Sequence, residues 1–198
     1  MLPAAPELKA MILRWFRPVP RRNNIAPLYG AIVAQARAPA FYRAYGVPDT
    51  VNGRLEMVLL HVFLVLRRLR DESATARRLA QNVFDKFCED MDDSMREMGV
   101  GDLAVPRKMR RIGQAFYDRQ AAYERALAQP RNDVLAQIVR CKLFASGNSD
   151  IGAERLAAYI REAANRLEHQ TGLDQGAVEF PDPQDLLLLE PRVGQPYA

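Results

Sequence analysis

The chain has 198 residues, 48% of them apolar and 26% charged, with a formal net charge of +4. That balance excludes a disordered chain and fits a globular domain with a core of its own. The cationic excess is modest and mostly arginine, which alone does not establish nucleic-acid binding, and no DNA partner is expected.

Nearly every segment carries helical periodicity, and no sustained strand alternation occurs. The opening arm, LKAMILRWFRPVPRR from Leu8, sets Leu8, Met11, Ile12, Trp15 and Phe16 on one side of a helix. Lys9, Arg14 and Arg17 lie around the other side, and Pro18 and Pro20 stop it. A short helix is expected over 27–37, then a brief helical turn from Pro39 that ends between Gly46 and Asp49. Asp49 or Thr50 can cap the next helix, which runs to about Arg70. Its stretch LEMVLLHVFLVL is apolar nearly all round, the mark of a central helix with neighbours on most sides. Ser73 caps a long helix to Met98, and Gly99 suits its left-handed stop. Pro106 opens another helix to about Ala128, and two more follow over 133–145 and 153–170. From Gly172 the chain is Pro- and Asp-rich around LLLL and is read as irregular, its leucines docked on the body or on a partner.

The expected architecture is therefore all-α. A single compact helical domain of about six to eight helices spans 25–172, between a basic amphipathic arm (1–24) and a Pro-containing acidic tail (173–198).

The segment EDMDDSMREMGVGD, from Glu89 to Asp102, concentrates acids in the second half of a helix. At 100° per residue, Ala80, Phe84, Phe87, Cys88, Met91, Met95 and Met98 share one face, a core stripe. Asp85, Glu89, Asp92 and Arg96 flank it, and Asp90, Asp93 and Glu97 cover the back. Acids there oppose the helix macrodipole at about a few tenths of a kcal/mol each. The next helix makes the opposite error, with Arg107, Lys108, Arg110 and Arg111 at its positive end. The short link makes the two helices antiparallel neighbours, so each misplaced cluster is expected to compensate the other. A carboxylate metal site in a helix bundle would bring Glu-x-x-His pairs from facing helices, and the acidic helix has no His. No metal and no catalytic group is assigned.

Cys88 and Cys141 read as buried small hydrophobes, and without a Cys/His cluster at ligand spacing a zinc site is excluded. His61, within the most apolar helix, reads as a core histidine hydrogen-bonded once; its functional alternative is a polar point inside a binding groove. Phe41, Tyr42 and Tyr45 beside Arg37 and Arg43 read as a packed corner, against a stacking or peptide-binding surface. The arm, with Lys9, Arg14, Trp15 and Arg17, suits a membrane surface, a partner's groove or its own domain.

Four blocks taken together are more specific than any of these features. LYGAIVAQAR, FYRAYGVPDTVNGRLEMVLLHVFLVLRRL, QNVFDKFCEDMDDSMREMGVGDLAVPRKMRRI and FYDRQAAYERAL, in order and spacing, resemble the ubiquinol–cytochrome c chaperone family. They cover about half the chain, Tyr29–Leu127; one departure is Asp118 in FYDR, where the family often has Gly. The resemblance implies an all-helical, non-catalytic protein, without cofactor, that binds newly made cytochrome b and assists its entry into the respiratory bc complex. In mitochondrial relatives a small partner protein and the ribosome are also involved, which makes the ribosome a further candidate partner here. The chain starts within about thirty residues of the family region, which favours a bacterial cytoplasmic protein peripheral to the inner membrane.

The partner-binding face is then expected to comprise Tyr42, Asp49, Arg54 and His61 with the hairpin residues Asp90, Asp92, Arg96, Gly101, Asp102, Arg107 and Lys108. Two rivals stand beside the chaperone: a ribosome- or RNA-binding helical module, and a metal-dependent enzyme built on the acidic helix.

Overall fold

The computed structural model describes residues 25–70, 73–144, 150–173 and 176–188. Among them it contains eight helices and no strand. These are α1 (Ile25–Ala36), α2 (Pro39–Arg43), α3 (Val51–Leu69), α4 (Ala74–Glu97), α5 (Val105–Leu127), α6 (Asp133–Leu143), α7 (Asp150–His169) and α8 (Pro183–Leu188).

The expected stops and starts are built from local chemistry. Thr50 accepts the Gly53 amide (3.1 Å) at the start of α3, and Ser73 accepts the Ala76 amide (3.0 Å) at the start of α4. At the end of α4, Gly99 is left-handed (φ 77°). Its amide donates to the Arg96 carbonyl while that of Val100 reaches back to Met95, the paired bonds of a Schellman stop. Pro106 sits in the first turn of α5. The central helix behaves as its composition demands: every residue from Met57 to Val65 is buried, with α1, α4, α5, α6 and α7 packed around α3.

Arginines close two further helix ends. Arg161 donates to the carbonyls of Ala126, Leu127 and Arg131, capping the C terminus of α5. Arg68 does the same for α7, donating to Leu167 (2.6 Å) and Gln170 (2.9 Å). A guanidinium there both satisfies orphan carbonyls and offsets the negative end of the dipole.

Four readings change. Cys88 is buried, but Cys141 is exposed on α6, so only one cysteine acts as a core residue. Met98 lies past the end of α4 and is 59% exposed instead of completing the core stripe. Asp90 does not cover the back of α4, because α1 packs there and the Tyr29 hydroxyl donates to its carboxylate (3.0 Å). Within the tail, 183–188 is helical, started by Asp182, whose carboxylate accepts the Gln184 amide (2.7 Å). The tail lies on the body: Tyr45 donates to the Pro183 carbonyl, Gln35 to that of Pro181, and Leu186 and Leu187 pack on the core.

Candidate functional site

The residues proposed for one face fall into two surface clusters and one buried point. At the corner before α3, Asp49 pairs with Arg54 (2.6 Å), and the Arg54 guanidinium lies over the Tyr42 ring, 5.4 Å from its centroid. The Tyr42 hydroxyl donates to the Ala36 carbonyl (2.9 Å). Burial raises its pKa, with Arg54 opposing and Asp49 reinforcing the shift. The corner requires Gly53, since a Cβ there would sit 2.0 Å from the Pro48 carbonyl oxygen.

The second cluster is the tip of the α4–α5 hairpin. Arg96 is a fork between Asp92, one turn back (2.6 Å), and Asp102, across the link. Both bonds hold Arg96 above its usual pKa, the Asp92 hydrogen bond most strongly. Gly101 supplies the carbonyl that accepts the amides of Ala104 (2.8 Å) and Val105 (3.3 Å), which turns the link into α5. No hydrogen bond or ion pair among the described residues joins this cluster to the Asp49–Arg54 corner.

The predicted compensation between the helices is absent. Arg107, Lys108, Arg110 and Arg111 are exposed, and none forms an ion pair with a described residue. Glu89 pairs with Lys86 on its own helix (3.5 Å), while Asp93 and Glu97 are exposed. The two ridges point outward from their own helices instead of toward each other, because the facing sides are occupied by Met95, Val105 and Met109.

His61 cannot belong to a surface, being 0% exposed. Its ring lies among Phe41, Tyr159 and Phe180, with centroids 5.6, 5.7 and 5.1 Å away. Nδ1 lies 2.7 Å from the Met57 carbonyl, which fixes the proton there, and Nε2 accepts from the Tyr159 hydroxyl (2.9 Å). That hydroxyl in turn accepts from Gln35 (3.0 Å). The core histidine thus has two bonds, not one. Burial lowers its pKa to about 4, against a smaller opposing effect of the Met57 carbonyl.

A largely buried ion pair, still partly open to solvent, went unforeseen. Arg119 grips Glu56 through both nitrogens, Nε at 2.6 Å, and also donates to Ala115 (2.9 Å); the side chains are 16% and 13% exposed. The partners lie 63 positions apart, so only tertiary structure reveals them. A second contact joins the same two helices, the Phe63 ring lying 5.4 Å from that of Tyr123.

Lys9, Arg14, Trp15 and Arg17 lie outside the described residues. Among the described residues no three His, Cys, Asp or Glu side chains gather as metal ligands, and no helix is long and apolar enough to cross a membrane. Burial pushes the Cys88 thiol up to about 12, with Asp85 and Glu89 adding to the shift, so it is held as an unreactive thiol.

Residues 43–175 match the family model described as ubiquinol-cytochrome C chaperone. The chain is 22% identical over 147 residues to ubiquinol-cytochrome-c reductase complex assembly factor 1 of Xenopus laevis, covering 74% of each. It is 23% identical to the Mus musculus counterpart over 74% of its own length, but spans only half of that protein. Among solved structures, the Cbp3 homolog from Brucella abortus superposes with a TM-score of 0.75 and 31% identity, over 90% of this chain and 95% of that one.

Proposed function

The chain belongs to the ubiquinol–cytochrome c chaperone family, and on that premise we propose that it is a non-catalytic assembly chaperone that binds newly made cytochrome b. In this reading it accompanies the client toward the ubiquinol–cytochrome c oxidoreductase complex and works on the cytoplasmic side, peripheral to the inner membrane. The observation that carries the reading is the family match over 43–175, a span that contains the hairpin between α4 and α5 and, Tyr42 apart, the corner before α3. Support also comes from the division of charge. The buried His61 is hydrogen-bonded within the body, whereas the hairpin leaves Asp93, Glu97 and four cations exposed beside Met98.

The test is an affinity pull-down of the tagged protein from gently solubilised native membranes, at low and at moderate salt. Cytochrome b retained at both supports client binding through apolar contact. The four exposed cations at the start of α5, which pair with no described residue, favour a second reading, a ribosome-docking module. Recovery of ribosomes at low salt only, without cytochrome b, selects it, because phosphate contacts weaken steeply with salt.

A further inference from the structure

We propose that the α4–α5 hairpin docks on an anionic lipid surface, inserting its apolar tip and pairing the α5 ridge with lipid phosphates. The proposal deepens the peripheral-membrane part of the preceding reading and rests on it. The tip exposes two large apolar side chains in one short link, Leu103 at 91% and Met98 at 59%. They flank Gly99 and Gly101, where the link is narrow and without bulky polar side chains, except for Asp102, which Arg96 already holds.

The charge beside them has one sign along one ridge. The buried side of α5 carries Val105, Met109, Phe116 and Tyr123. Arg107, Arg110 and Arg111 lie on the opposite side, and Lys108 on a flank. The first turn contains no acid, and the first carboxylate on that outward side is Asp118, three turns in. Four cations thus crowd the positive end of a helix dipole, with no described residue neutralising them. A layer of phosphates would supply the missing charge. The acids Asp93 and Glu97 ride the outward ridge of α4, which orients the docked hairpin: α5 faces the lipid and α4 turns away.

Exposed apolar residues distinguish this partner from the others. A polynucleotide would satisfy the arginines through its phosphates, but it offers no apolar layer to Leu103 and Met98. A bilayer interface takes both features together, apolar side chains into the acyl boundary and cations at the headgroups.

The experiment uses the full chain with vesicles of phosphatidylcholine, alone or mixed with phosphatidylglycerol. The arm is stripped of its cations throughout (Lys9→Gln, Arg14→Gln, Arg17→Gln, Arg21→Gln, Arg22→Gln), and Trp15→Phe removes the one native tryptophan. The protein should float with the anionic vesicles and not with the neutral ones. Each of Arg107→Gln, Lys108→Gln, Arg110→Gln and Arg111→Gln should weaken flotation about fivefold. Leu103→Ser should weaken it too, and a Leu103→Trp reporter should shift its emission to the blue only on anionic vesicles. These side chains are exposed, so unchanged melting checks that the fold is intact.

Flotation that survives loss of all four cations overturns the proposal, as does a Leu103→Trp emission that does not move. Loss with the cations but not with Leu103→Ser overturns the insertion of the tip and leaves an electrostatic contact alone. Self-association in the absence of lipid, abolished by the same substitutions, assigns the face to a second copy. The vesicles hold no client, so failure here leaves the cytochrome b pull-down to stand or fall separately.

Discussion

The buried histidine makes a prediction that can be worked through in numbers. His61 is held neutral in the fold with a pKa of about 4, against 6.5 for a free histidine. The folded value is the lower one, so between these limits the unfolded chain binds the additional proton, and stability falls as the solution is acidified. The contribution is fully present near pH 7, is reduced by about 2 kcal/mol at about pH 5, and reaches a loss of about 3 kcal/mol below about pH 4. No carboxylate is hydrogen-bonded to the ring to moderate this, since its partners are the Met57 carbonyl and the Tyr159 hydroxyl. Urea unfolding followed by circular dichroism, at pH 7 and pH 5, measures it. With a slope of about 2 kcal/mol per molar, the wild-type midpoint should fall about 1 M more than that of His61→Gln, which has no ring to protonate. The variant will be less stable at both pH values, and only the difference in pH sensitivity is diagnostic. Equal losses in the two proteins would refute the argument, as would a ring that titrates in the folded state near its free value.

Other substitutions test the packing and the surface. Glu56→Ala or Arg119→Ala should each cost about 2–4 kcal/mol in urea unfolding, while Glu56→Leu with Arg119→Met should recover much of it, because the damage lies in stranding one charge. Gly53→Ala forces a Cβ against the Pro48 carbonyl and should cost roughly 2 kcal/mol or more, whereas Gly30→Ala, in open space on α1, should stabilise by about 0.5–1 kcal/mol. Asp92→Lys and Arg96→Glu, made separately, should leave circular dichroism and melting unchanged and weaken retention of cytochrome b in the pull-down. Melting that drops for either would mark the fork as structural.

The elements legible in the sequence were those whose cause is local. Ser73, Thr50 and Gly99 announce helix ends because a side-chain oxygen or a left-handed glycine acts within a few residues. The burial of α3 was legible because an all-round apolar helix has no other place. What escaped depends on who the neighbour is. A helical wheel assigns α4 one buried side, yet α1 approaches a second side and takes Asp90, so the acid assigned to the back meets Tyr29. The compensation between hairpin ridges failed for a related reason: antiparallel neighbours face each other with apolar sides, which sends both charge ridges outward. The α8 helix is only six residues long and owes its start to Asp182, too short a signal for periodicity.

The placement of satisfied and unsatisfied charge bears on where function resides. Inside the body, polar groups are closed in pairs and chains: Gln35 to Tyr159 to His61, Glu56 to Arg119, Arg161 over the end of α5. Such closure is what burial enforces, since an unpaired polar group in the interior costs about 1–3 kcal/mol. The hairpin faces no such demand, and there the sequence keeps Arg107, Lys108, Arg110 and Arg111 at a helix end whose dipole opposes them. Folding alone gives no reason to keep that arrangement, and Gln at these positions would fold at least as well. No described residue pairs with these cations, and together with the exposed Leu103 beside them they suit the lipid surface proposed above, apolar on one side and anionic on the other.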